Sequence, residues 1–262
     1  MIKRIPWTRQ QLLVAFSLYC KIPFGKMHSR NPEIIKYAEL LGRTPSALAM
    51  KLTNIASLDP AITTTGRKGL KGASKADRQM WEEMQIDWEN FVIQSEKAIG
   101  EVITQAPMEK NSILDEQALP EKQQDYSGRN RVIQATTRVG QNFFRKAVLS
   151  AYDYKCCITG LSVPQLLVAS HIVPWSVDRE NRLNPSNGLA LSMLHDKAFD
   201  SGLITVDQDL KVCVSSKIKI SRNDTFFTTT LQNYHGRPIL QPEKFQPYED
   251  FLVYHRENIF KK

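Results

Sequence analysis

Apolar residues recur at three- and four-residue spacing through the first hundred positions, and in short runs bounded by turn residues after position 150. The first pattern predicts helices and the second short strands. Residues 8–20 read as an amphipathic helix, with Thr8 as N-cap and Leu12, Leu13, Phe16 and Leu18 or Tyr19 on the apolar side. Lys21 to Pro32 is a loop punctuated by Pro23, Gly25 and Pro32. Glu33 to Leu41 predicts a second helix, with Ile34, Ile35, Ala38 and Leu41 on one side. Gly42-Arg43-Thr44-Pro45 then ends that helix and starts another, because Gly suits a helix end, Thr44 suits an N-cap and Pro45 the first helical position. The next helix runs from Pro45 to about Ser57, with Leu48, Leu52 and Ile55 inward.

Two helices about a short Gly-containing turn fit a helix-turn-helix, and equally a plain helical hairpin that only packs. Under the first reading Ser46, Met50, Lys51 and Asn54 face DNA, and the basic run Arg67-Lys68-Gly69-Leu70-Lys71-Gly72 reaches phosphates. Under the second, that run is a solvated loop. Lys75 to about Ile99 predicts one long helix, with Trp81, Met84, Trp88, Phe91 and Val92 at core spacing. Residues 101–128 turn polar and are read as a linker. The expected organisation is a helical, DNA-binding domain at 1–100, the linker, and a second domain at 129–262. Gln141 to Tyr152 predicts a helix entering that second domain, with Arg145 and Lys146 on its polar side as phosphate contacts or solvated charges.

The stretch from Cys156 to Gly202 carries the candidate chemistry. His171 ends an apolar run, Leu166 to Ala169, that reads as a strand. Asn187 precedes Gly188 and the apolar segment Leu189-Ala190-Leu191. His195 lies early in a helical stretch, Met193 to Phe199, for which Ser192 is the N-cap. Taken singly, a His at a strand end is commonly structural and an Asn before Gly is commonly a turn residue. Beyond it, Leu203 to Val206 and Leu210 to Val214 alternate as a β-hairpin about Asp207-Gln208-Asp209, and Asp250 to Phe260 closes as a helix.

The ordered pieces Cys156-x-Ile158-Thr159-Gly160, Ala169-Ser170-His171-Ile172-Val173-Pro174-Trp175, Asn187-Gly188-Leu189-x-Leu191 leading to His195, and Phe199-Asp200-x-Gly202 resemble the HNH endonucleases. That resemblance implies an α+β chain: a helical N-terminal domain linked to a C-terminal ββα-metal HNH nuclease domain. It implies that His171 is the general base, that Asn187 orients the base or its loop, and that His195 is a metal ligand. Many members of the family place an Asp before the first His, where this chain has Ser170. A hydroxyl is a poorer ligand than a carboxylate for a hard cation, so Asp200 and its neighbour Asp196 are candidates to complete the site. His195 and Asp200 stand five residues apart, a poor spacing for one helix face.

Charge and cysteine usage narrow the picture. The 262 residues carry a formal net charge of +8, which favours a polyanionic partner. Double-stranded DNA is the expected substrate, contacted by Lys51, Asn54, Arg67, Lys68, Lys71 and Arg145, with Mg²⁺ or Mn²⁺ as cofactor. Cys20, Cys156, Cys157 and Cys213 form no CxxC pair, so no structural zinc is expected and the thiols read as buried in a reducing compartment. No apolar run reaches the ~18 residues of a membrane span, and the chain reads as cytoplasmic. The HNH resemblance implies a metal-dependent DNA endonuclease in a setting of bacterial restriction or defence, with a homodimer if both strands of a palindrome are cut. The rival expectation is a DNA-binding regulator or a ligand-activated effector with a degenerate or silent HNH fold.

Overall fold

The computed structural model describes residues 5–64, 72–105, 128–218 and 224–262, and for 128–136 the backbone only. The basic run at Arg67, Lys68 and Lys71 and most of the expected linker lie outside the described residues.

Helix α1 (Arg9–Lys21) begins where Thr8 Oγ1 accepts the Gln11 N–H while the Gln11 side chain accepts the Thr8 N–H. This reciprocal cap satisfies two donors that a helix start leaves open. Every residue from Leu12 to Cys20 is buried. The helix is therefore a central core helix rather than the amphipathic one its pattern predicts, because α3, α5, α6 and α7 pack around it. Helix α2 (Pro32–Leu40) and helix α3 (Pro45–Ala56) form the expected hairpin, each with Pro at its first position and with Asn31 and Thr44 as caps. A four-residue helix α4 (Pro60–Thr63) follows, capped by Asp59.

The single helix expected at Lys75–Ile99 is two, α5 (Lys75–Ile86) and α6 (Trp88–Thr104). Asp87 leaves helical geometry (φ −144°, ψ 86°), and its Oδ1 accepts the Asn90 N–H as the N-cap of α6. The capping oxygen offsets the broken backbone ladder. Residues 101–104, expected in the linker, are the last turn of α6. Helix α7 (Gly128–Ala151) is longer than predicted.

Strand β1 (Leu167–His171) pairs antiparallel with β2 (Gly188–Ser192), so that His171 lies opposite Gly188 and Leu167 opposite Ser192. Helix α8 (Met193–Asp200) leaves β2 through the Ser192 cap and packs back on both strands. This is a ββα unit. It sits on α7, and Gly188 is the close point: a Cβ there would lie 2.4 Å from the Val148 side chain and 2.9 Å from that of Phe144. The predicted hairpin follows as β3 (Ile204–Val206) and β4 (Val212–Val214). Helix α9 (Thr225–Thr230), in a stretch without a clear pattern, and α10 (Glu249–Asn258) complete the chain.

One cluster of buried apolar residues runs from Leu12 through Trp88, Phe143 and Leu191 to Leu252, so the N-terminal helices and the ββα unit share a core. Lys244 bridges them. It is fully buried, and its Nζ donates to the carbonyls of Tyr19, Cys20 and Ile22 at 2.6, 3.0 and 2.8 Å. Those are the carbonyls at the end of α1, where a cation is favoured.

Candidate active site

His171 closes β1 with its ring held on three sides. It stacks on Phe144 of α7 (centroids 3.9 Å apart, planes 8° apart) and meets the edge of Trp175 at 5.5 Å. Its Nε2 stands 2.9 Å from the Arg182 carbonyl oxygen. A carbonyl only accepts, so Nε2 carries the proton and Nδ1 keeps the lone pair. Burial lowers the pKa of His171 against the opposing pulls of the Arg182 carbonyl and Asp196. The neutral ring is the form that accepts a proton near pH 7.

Asn187 is fully buried, in the single turn Pro185–Asn187 that leads into β2. Its Oδ1 accepts the Val173 N–H at 2.8 Å, and its Nδ2 donates to the Val173 and Asn181 carbonyls at 3.2 and 3.4 Å. Its backbone carbonyl also accepts the Ile172 N–H. The amide thus fastens the chain leaving His171 to the loop arriving at β2, and stands behind the base rather than in the cleft.

His195 departs most from its expected role as a metal ligand. It is buried, with Nδ1 2.7 Å from Ser192 Oγ and Nε2 2.9 Å from the Thr230 carbonyl. With Nε2 donating to that carbonyl and Nδ1 accepting the Ser192 hydroxyl, both ring nitrogens are engaged within the protein. The ring lies edge-on to Tyr234 and ties α8 to the α9 region. Burial lowers its pKa as well.

The side chains that do share a cleft with His171 are Ser170, Asp196 and Asp200, with Trp175 and His255, in a volume of about 500 Å³. Asp196 and Asp200 stand four residues apart on α8 and so present one face. The Asp200 carboxyl is pushed up by burial and by the charge of Asp196. Ser170 Oγ is buried without a hydrogen-bond partner. Two mutually repelling carboxylates and an orphaned hydroxyl are hard oxygen donors, and Mg²⁺ commonly takes one or two carboxylates plus substrate phosphate and water. The donor set therefore fits a divalent cation without His195. Among the described residues no group of three His, Cys, Asp or Glu side chains stands together as a metal cluster. The i,i+4 pair at 196 and 200 was visible in the sequence, and the resemblance extends weakly to His255-Arg256; Arg182 had no local signal.

The expected DNA contacts separate. Lys51 is not at the surface: its Nζ donates to both oxygens of Asp77 at 2.8 and 2.9 Å, and both side chains are buried. Asp77 caps α5 against Ser74, so Lys51 neutralises a carboxylate fixed in place by that cap. Asn54 is half-buried, whereas Ser46 and Met50 are exposed on α3. Arg145 is half-buried beside His171, in a neighbouring hollow of about 210 Å³. Its guanidinium donates to the Leu167 and Pro164 carbonyls and supports the start of β1.

The site is thus an antiparallel ββα unit with a half-buried, carbonyl-held His at the end of its first strand. Residues 156–207 match the family model described as HNH endonuclease. At the family level the match supports nuclease-type activity, which acts on nucleic acid. No curated protein matches the chain. No helix among the described residues is long and apolar enough to cross a membrane.

Proposed function

We propose that this protein is a divalent-metal-dependent endonuclease that hydrolyses phosphodiester bonds of double-stranded DNA in restriction or defence against foreign DNA. The observation that carries the proposal is the arrangement of His171, with a lone pair on Nδ1, in one cleft with Asp196, Asp200 and Ser170. Asp196 and Asp200 would hold Mg²⁺ or Mn²⁺, with Ser170 Oγ beside them. The bound cation would supply positive charge to the phosphate and the leaving oxygen. His171 Nδ1 takes a proton from water as the water oxygen attacks phosphorus; the bond from phosphorus to the leaving oxygen breaks. Phe144 and the Arg182 carbonyl hold the ring so that the proton goes to Nδ1. Asn187 fixes the loop behind it.

The N-terminal helices are proposed to hold or choose the duplex as a functional part distinct from the nuclease segment, with Ser46, Met50 and Asn54 on α3 as contacts. The basic run at Arg67, Lys68 and Lys71 is proposed to reach phosphates, which suits the net charge of +8. Cutting both strands of a symmetric site would take a homodimer.

The test is cleavage of supercoiled plasmid, methylated and unmethylated, with Mg²⁺ or Mn²⁺, by wild type and His171→Ala. Nicked or linear product from wild type alone supports the proposal, and equal cleavage by both removes His171 from the base role. A second reading, a DNA-binding regulator or ligand-activated effector, is favoured by one observation: Ser170 and His195 leave this site fewer free ligands than the family pattern implies. Specific DNA binding without cleavage in any metal, or cleavage only after an added factor, is its signature.

A further inference from the structure

The carbonyl that fixes the proton on His171 belongs to a residue whose side chain is anchored elsewhere. Arg182 offers its carbonyl to His171 Nε2, while its guanidinium pairs with Glu89 in the first turn of α6. The same guanidinium lies over the Trp175 ring, 5.1 Å from the centroid, and Trp175 packs edge-on against His171. Arg182 Nε is buried without a partner, so among the described residues Glu89 is the charged group that holds this side chain. Glu89 has a firm base. Its neighbour Trp88 is buried against Phe143 of α7 and Phe245, at centroid distances of 6.4 and 5.7 Å.

We infer that the Glu89–Arg182 ion pair is a positioning device through which the N-terminal helices set the orientation and proton location of the His171 ring. The inference rests on the proposed role of His171 as general base. The residues on either side of Arg182 are anchored: Asn181 is tied to Asp178 and its carbonyl accepts the Asn184 N–H and Asn187 Nδ2, and Leu183 is buried against Gly140 of α7. Between these anchors the Arg182 carbonyl turns to His171 Nε2, and Glu89 holds the Arg182 side chain. If the guanidinium is released, the carbonyl can swing from Nε2. The neutral ring then samples the tautomer with its proton on Nδ1, which cannot accept one from water. Binding of DNA does not depend on that exchange, so the turnover step bears the loss.

The pair is tested in the full chain with Glu89→Gln, Arg182→Gln and the double variant, together with the exchanged pair Glu89→Arg with Arg182→Glu. Glu89 is half-exposed, so Glu89→Gln keeps the core intact. The direct readout is the tautomer of His171 by ¹⁵N NMR of the imidazole, at a pH where the ring is neutral. The Nε2–H form should dominate in wild type and give way toward the mixture of free imidazole in Glu89→Gln. Single-turnover cleavage at saturating enzyme should fall about 10- to 100-fold, the scale of a misplaced catalytic group, with DNA affinity within about two-fold. The double variant should lose no more than the worse single one, since the two residues act as a unit. An unchanged tautomer in Glu89→Gln, or losses that multiply in the double variant, would overturn the inference. Recovery of the wild-type tautomer by the exchanged pair would support it. If wild type cuts no DNA, the proposed function fails on its own, while the tautomer still decides whether Glu89 acts on His171.

Discussion

Asn187 closes on Val173 with both ends of its amide, accepting the Val173 N–H at 2.8 Å and donating to the Val173 carbonyl at 3.2 Å. The pairing resembles one rung of a sheet made by a side chain. It holds the backbone two residues after His171, so the base is steered from behind. Asn187→Ala leaves the buried Val173 N–H and carbonyl short of partners, at about 2–3 kcal/mol of stability. Asn187→Asp keeps the acceptor but loses the donor and buries a charge, so it should be the worse of the two. Urea unfolding of the two variants checks the order; equal and small losses would show that water replaces the amide.

Metal binding separates the candidates on α8, His195 from Asp196 and Asp200. Asp196→Asn and Asp200→Asn should each weaken Mn²⁺ binding at least about 10-fold, the scale seen when a site's supporting groups are lost. His195→Gln should leave that affinity within about two-fold and instead lower thermal stability, because its ring bridges Ser192 and the Thr230 carbonyl. Titration of Mn²⁺ by electron paramagnetic resonance distinguishes them. Loss of binding in His195→Gln alone would restore the histidine to the ligand role.

Acid stability follows from the buried histidines. His255 is stacked on Phe199 at 3.6 Å, its Nε2 donates to the Phe199 carbonyl, and burial pulls its pKa down to about 4. The unfolded chain binds this proton near pH 6.5, so between about 6.5 and 4 the unfolded state holds more protons than the folded one. The contribution is fully present above pH 6.5 and lost as pH falls through 4, on the order of 3 kcal/mol in all. His171 and His195, also lowered by burial, add to the same slope. Unfolding free energy measured from pH 7 to 4 should fall less steeply in His255→Gln than in wild type. An unchanged slope would mean that His255 is not held neutral in the fold.

Lys244 should be among the costliest residues outside the cleft to remove. Burial draws its ammonium down to about 8, yet its Nζ meets three carbonyls at the end of α1 and Ser150 Oγ at 3.3 Å. Lys244→Met fills the space and leaves the Tyr19 and Ile22 carbonyls unpaired, while Ser150 Oγ still donates to that of Cys20, at about 3 kcal/mol or more. Thermal unfolding reads it; a small shift in Tm would show that α1 ends stably without the cation.

Much of this molecule is written locally. The Thr8, Thr44, Ser74 and Ser192 caps, the Pro-initiated helices and the β3–β4 hairpin follow from neighbours a few residues apart, and so does the order of His171, Asn187 and His195 in a strand–turn–strand–helix unit. Even the break at Asp87 had a local cause, a carboxylate able to cap, masked by an apolar spacing that continues across it.

The rest depended on which distant segments meet. Helical periodicity marks an apolar stripe but not whether other helices also cover the opposite side, so α1 looked amphipathic and is buried. A lysine in a polar position reads as surface charge until a carboxylate 26 residues away, fixed by its own cap, claims it, as Asp77 does Lys51. His195 has the right sequence context, but its ring direction is set by Thr230, 35 residues on, and the cleft received Asp196 and Asp200 instead. The sequence by itself determined the elements and the residue types brought to the site. Only the tertiary structure decided which nitrogen of His171 holds a proton and which side chains stand before it, because those depend on contacts among Phe144, Arg182 and Glu89 that no local pattern encodes.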